Sequence, residues 1–121
     1  MLLPTLLAAQ EQQIWGCQQD KGSLLNWERG RWEQHGVVAR DILLRIDGEE
    51  SSFTQRDSET PLSCTTISLD RISCIEPLLG AIVILIDPAT GKMGYSFLSG
   101  ALSTSETRDS VVVSAYSCTR F

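Results

Sequence analysis

Histidine is almost missing from this chain: His35 is the only one among 121 residues. A serine nucleophile would have to recruit that one imidazole as its base, with a carboxylate behind it. The serines are plentiful, but none lies in a Gly-x-Ser-x-Gly elbow. The cysteines form no Cys-x-x-Cys pair, which speaks against a thioredoxin-like redox motif and a zinc knuckle. Cationic runs are absent too. The ten Lys and Arg residues stand singly against fifteen acids, for a net charge of −5. A nucleic-acid backbone needs a clustered positive footprint, and an anionic membrane surface needs a basic patch, so neither is expected as a partner. The longest greasy run, Leu78 to Ile86, falls far short of the ~18 apolar residues of a spanning helix. There is no internal repeat and no linker, so one domain is expected.

What the chain does carry is 42% hydrophobic residues and four widely spaced cysteines, Cys17, Cys64, Cys74 and Cys118. An even count at wide spacing suits two disulfides made in an oxidising compartment, periplasmic or extracellular. Three pairings are open to four cysteines. Residues 2–9 are mostly apolar and end in the small residues Ala8-Ala9, with Leu7 and Ala9 at the two positions a signal peptidase reads. They read as a signal-peptide remnant or, with Pro4 in the first turn, as a short helix. The domain proper is expected at 10–121.

From there the pattern is strand and turn. Gln13 to Gln18 reads as a first strand, and Gln19 to Gly36 as irregular. Val37 to Asp47 alternates with a period of two, as a half-buried strand does. Asp47-Gly48 supplies a tight turn, and Ser51 to Arg56 an edge strand, with a further turn at Asp57 to Pro61. Leu62 to Ile67 and Arg71 to Glu76 make a hairpin. A turn centred on Leu69 sets Cys64 opposite Cys74. Leu79 to Asp87 contains the largely β-branched run Ala-Ile-Val-Ile-Leu-Ile and reads as buried on both faces. Lys92 to Leu98 carries Met93, Tyr95 and Phe97 on one face, Ser99 to Ser110 reads as a mobile polar connection, and Val111 to Thr119 closes the chain. The predicted fold is all-β: a small antiparallel up-and-down barrel of about eight strands, closed to remove its edges. A Cys17–Cys118 bond would staple the first strand to the last.

Chemistry concentrates in one segment. Trp27, Arg29, Arg31, Trp32 and His35 fall within nine residues, and Trp and Arg dominate binding hot spots. The same tryptophans, with the arginines stacked on them, would also serve as a plug for one barrel end. Asp47-Gly48-Glu49-Glu50 is acidic but lacks the alternating ligands of a calcium loop and reads as a turn. Metal and cofactor are both expected to be none.

Trp15-Gly16-Cys17, Ile86-Asp87-Pro88-Ala89-Thr90-Gly91 and Arg108-Asp109-Ser110 leading to Cys118 and Phe121 resemble a group of small exported bacterial β proteins of unknown function. Gly30-Arg31-Trp32 is similar to the Gly-x-Trp of lipocalins. The cysteines on the terminal strands resemble those of the periplasmic inhibitors of C-type lysozyme. The Ser-Gly-x-x-Tyr segment of those inhibitors is missing, and no functional residue is carried over from them. The expectation is an exported, non-enzymatic binding module whose partner is a protein or a small apolar ligand. The alternatives are an inhibitor of a host or bacterial hydrolase, and a small secreted hydrolase or isomerase using carboxylates or His35.

Overall fold

A computed structural model describes residues 12–36, 40–99 and 110–121. The proposed leader, residues 1–9, and most of the polar 99–110 connection lie outside the described residues. Among the described residues nine strands follow one another: β1 (Gln13–Glu28), β2 (Arg31–Gly36), β3 (Ile42–Ile46), β4 (Ser51–Gln55), β5 (Ser58–Ser68), β6 (Arg71–Ile75), β7 (Ile82–Ile86), β8 (Lys92–Ser99) and β9 (Ser110–Arg120). Every pairing is antiparallel, and β1 closes the sheet onto β9. Eight of the strands make a closed barrel, as the alternating pattern predicts. β2 lies outside that ring and, among the described residues, is paired with β1 alone.

β1 explains this extra strand. Its first part, Gln13 to Cys17, pairs with β3, and its second part, Ser23 to Glu28, pairs with β2. Along nearly its whole length it also pairs with β9. A bulge between Gln19 and Lys21 shifts the register by one residue. Before the bulge the inward residues are Trp15 and Cys17; after it they are Gly22, Leu24 and Asn26, opposite the inward Ser114, Val112 and Ser110. The sequence reading of Gln19 to Gly36 as irregular is therefore corrected to strand. The bulge resets the period of two mid-strand, so no single alternation runs through the segment.

Other boundaries move for similarly local reasons. β3 begins at Ile42, not Val37; residues 37–39 lie outside the described set. Asp47-Gly48 leads into a 3-10 turn, Gly48–Glu50, rather than a tight hairpin. Ser51 Oγ accepts from the Asp47 N–H and donates to the Gly48 carbonyl, both at 2.7 Å. β4 is no edge: it lies between β3 and β5 with Ser51, Ser52 and Phe53 buried. The next turn is Arg56-Asp57, and Pro61 sits inside β5. β7 is buried on one face only: Ile82, Ile84 and Ile86 point inward, while Leu85 is 42% exposed. An antiparallel barrel has no second layer over its outer surface, unlike a parallel sheet flanked by helices.

The inward residues form one contiguous core that includes Trp15, Ile42, Leu44, Phe53, Leu62, Ile72, Ile84, Ile86, Met93 and Tyr116. Edge-to-face ring contacts cross the interior, Phe53 to Tyr95 at 6.0 Å and Tyr95 to Tyr116 at 6.2 Å. The Trp15 Nε1–H is satisfied by Gln13 Oε1 at 3.1 Å. Both disulfides belong to this interior. Cys17–Cys118 joins β1 to β9 and Cys64–Cys74 joins β5 to β6, each between directly opposite residues. Met93 Sδ lies 3.9 Å from Cys17 Sγ and 3.8 Å from Cys118 Sγ, van der Waals contacts that bind the closing staple to β8. Two bonds of this kind fit an oxidising environment. Among the described residues no helix is long and apolar enough to cross a membrane.

Candidate binding surface

The segment richest in chemistry folds as a hairpin. Arg29 and Gly30 both have positive φ, 54° and 80°. This is the signature of a two-residue type I′ turn, whose twist matches that of the flanking strands. Gly30 adopts that backbone freely; Arg29 does so at a cost of about 1 kcal/mol. The turn sets Glu28 opposite Arg31 and Trp27 opposite Trp32. Pairs alternate along an antiparallel ladder. Because Glu28 and Arg31 flank the turn as a hydrogen-bonded pair, Trp27 and Trp32 form a non-hydrogen-bonded pair, in which side chains come closest. Their rings meet edge to face, centroids 5.3 Å apart and planes at 73°.

The alternation divides the five predicted site residues between two faces. Trp27 and Trp32 stand on the outer face, 44% and 46% exposed, together with Ser23, Leu25 and Gln34. The Gln34 amide donates to Ser23 Oγ at 2.9 Å. Arg31 and His35 stand on the opposite face with Glu28, Glu33 and Asn26, and Arg29 caps the tip. There Arg31 Nε donates to Glu33 Oε1 at 2.6 Å, and His35 Nε2 lies 3.3 Å from Glu28 Oε2. Asn26 Oδ1 accepts from Ser110 Oγ at 2.7 Å, tying this face to β9. The tryptophans do not plug a barrel end, and among the described residues no arginine is stacked on them. They point away from the interior because their register in β1 and β2 gives them the outward parity.

The outer apolar surface continues beyond the hairpin. Leu25 lies opposite Val111, and Val111 opposite Leu98; one row down, Ser23 lies opposite Val113, Val113 opposite Ser96 and Ser96 opposite Val83. Leu98 and Val113 are about half exposed, 49% and 54%. Small residues on β8, Gly94 and Ser96, leave a shallow groove of about 230 Å³ between Val83, Leu85 and Val113. Sequence reasoning missed this strip. Its signal was the outward parity of β7 and β9, visible once one face of each strand is assigned to the core.

A second exposed apolar feature lies between β6 and β7. Leu78 and Leu79 are 88% and 84% exposed. Their N–H groups both donate to the Glu76 carboxylate, at 2.7 and 2.9 Å, and the Gly80 N–H donates to the Glu76 carbonyl. The Leu79 N–H is the main reason the Glu76 carboxyl is held below its ordinary range. Asp87 is lowered in the same way, first by the Ala89 N–H.

All four cysteines are disulfide-bonded, so the chain holds no free thiol. Among the described residues no three His, Cys, Asp or Glu side chains gather as a metal site would require. The arrangement defines a disulfide-closed β-barrel with a projecting, tryptophan-bearing hairpin. No family model matches this chain, and no curated protein or solved structure matches it.

Proposed function

We propose that this protein is an exported, non-enzymatic binding module that recognises a protein partner through the outer face of its β1–β2 hairpin. The observation that carries the reading is the edge-to-face pair Trp27–Trp32, nearly half exposed on an outward surface that continues into Leu98 and Val113. Exposed contiguous apolar surface rimmed by polar groups marks an interaction site, and tryptophan is the residue most enriched in binding hot spots. Arg29 supports the same face. Asparagine fits a type I′ turn without the cost Arg29 bears, and a residue kept in a sparsely populated conformation points to a use for its side chain. The packed inward cluster of aromatic and aliphatic side chains favours an outer site over an internal ligand. Two disulfides favour the periplasm or the cell exterior as the place of action.

The test is a photocrosslinking amino acid at position 32, in the full chain expressed in an oxidising compartment of its own host. One dominant protein adduct is expected, reduced when Trp27 is changed to Ser and absent when the crosslinker sits at Thr119, at the far end of β9. Equal labelling at both positions would sink the reading. A stoichiometric apolar molecule released from the purified barrel would instead move the function to the interior.

A further inference from the structure

The hairpin carries a second feature that does not depend on the tryptophans having a foreign partner. Among the described residues, β2 is paired on one side only. The two-residue turn fixes which groups its free edge offers. Arg31 and Glu33 aim their N–H and C=O at β1, so Trp32 and Gln34 aim theirs outward. Natural edges are blunted by proline, lysine or a bulge. β2, Arg-Trp-Glu-Gln-His-Gly, has no proline or lysine, and its register with β1 is unbroken.

An antiparallel strand from a second copy must bring its own outward-aimed residues against these. Four two-fold registers that pair at least three residues of β2 satisfy that condition, with the axis at Trp32, Glu33, Gln34 or His35; the last sets Gln34 against the partner's Gly36 and brings no opposite charges together. An axis at Glu33 sets Glu33 against the partner's Glu33, and like charges directly opposite are destabilising. An axis at Gln34 sets Glu33 against the partner's His35, a ring that already faces Glu28 of its own hairpin at 3.3 Å. An axis at Trp32 sets Arg31 against the partner's Glu33 and Glu33 against the partner's Arg31, two full opposite charges in cross-strand positions. That register also aligns Trp27, Trp32, the partner's Trp32 and the partner's Trp27 in one row on the outer face, extending the 5.3 Å ring contact already present in each hairpin.

We infer that the protein forms a two-fold homodimer by antiparallel pairing of β2 with β2 of a second copy, with Trp32 on the axis. With the axis at Trp32 the contact pairs residues 31–33 of each strand, so it belongs with small, dissociable interfaces.

Sedimentation of the oxidised full chain from low to high micromolar concentration tests it. The expected result is a shift from the 13.4 kDa monomer toward twice that mass. Gln34→Pro removes an outward donor while leaving the β1 ladder whole, and should hold the protein monomeric. Arg31→Glu should weaken association about tenfold through two like-charge pairs. Adding Glu33→Arg to it reverses both members of each pair and should restore association. That rescue separates pairing from a loss of folding, which circular dichroism of each variant checks. His35→Glu should leave the dimer unchanged. Monomer at every concentration overturns the proposal, as does a dimer indifferent to Gln34→Pro and to both charge variants. A dimer lost with His35→Glu but not with Arg31→Glu overturns the Trp32 axis.

Discussion

Glycine 91 shows how a single hydrogen can decide a local structure. Its φ is +78°, and a Cβ built there would lie 2.1 Å from the Cys118 carbonyl oxygen. That carbonyl cannot retreat, because the Cys118 N–H donates to the Gly91 carbonyl at 2.7 Å and the cysteine is bonded to Cys17. Gly30 also has a positive φ, +80°, but a Cβ there meets nothing within 4 Å. Gly30→Ala should therefore cost about 1 kcal/mol, the conformational term alone. Gly91→Ala should cost about 3 kcal/mol or more, with a strain term added. Urea unfolding of the two variants side by side measures the difference, and equal midpoints would refute the steric argument. Tyr95 offers a second check at this scale. Burial, with a smaller push from Tyr116, raises its phenol to about 12. The unfolded chain releases that proton near its ordinary value of 10, so between about pH 10 and 12 the native state holds a proton that the unfolded state has lost. Stability is thus complete below pH 10 and falls as pH rises through that window. Absorbance titration near 295 nm should show no tyrosinate at the ordinary midpoint while the protein is folded, and Tyr95→Phe should flatten the alkaline loss. Tyr116 is also raised, by burial first and by Asp41 next, with Arg40 opposing.

Elements were legible wherever one alternation ran unbroken from turn to turn. β8 was readable from Met93, Tyr95 and Phe97, and β9 from Val112, Tyr116 and Cys118, because each face is either core or solvent throughout. The β5–β6 hairpin and its opposed cysteines were readable, but its turn is Leu69-Asp70, with Ser68 opposite Arg71, and it is a bulge between Thr66 and Ser68 that sets Cys64 opposite Cys74. β1 was not readable as one strand. Its bulge between Gln19 and Lys21 exchanges the faces, and its second half carries Asn26 and Glu28 on the inward parity. β2 was hidden for a related reason: a strand projecting beside the ring has no fully buried face to leave an apolar signature. The cluster Trp27 to His35 was therefore visible as composition, while its division between two faces was not. The loop after β6 carries a prediction of its own. Glu76 holds Leu78 and Leu79 through their N–H groups, and its carboxyl titrates below the ordinary 4.5. That hold is complete above the ordinary value and is lost as pH falls through the lowered one. Amide exchange at Leu78 and Leu79 should accelerate in that acid window, relative to the change expected from pH alone. Glu76→Gln should show the faster exchange at neutral pH, with the midpoint of global unfolding little changed.

For the molecule as a whole, the decisive contact is the one between its ends. β1 meets β9 across a separation of 101 residues, and no barrel exists until that pairing forms. Contacts so distant in sequence carry the largest loop-closure entropy, which is where a covalent bond helps most. On the chain-entropy account, the Cys17–Cys118 bond contributes about 4.7 kcal/mol. The Cys64–Cys74 bond, spanning 10 residues, contributes about 2.7 kcal/mol. The first joins the closing seam; the second reinforces a hairpin that its own turn already favours. Cys17→Ala with Cys118→Ala should therefore lower the unfolding free energy by more than Cys64→Ala with Cys74→Ala, and the first pair should also slow refolding. Reducing both bonds in the unmutated chain removes an amount comparable with the entire stability of a small domain, about 5–15 kcal/mol. Thermal unfolding with and without a thiol reductant reads this directly. Loss of a cooperative transition on reduction ties the native barrel to an oxidising compartment. A reduced protein that melts within a few degrees of the oxidised one would show that packing alone closes the seam, and the disulfides would then carry no argument about where the protein works.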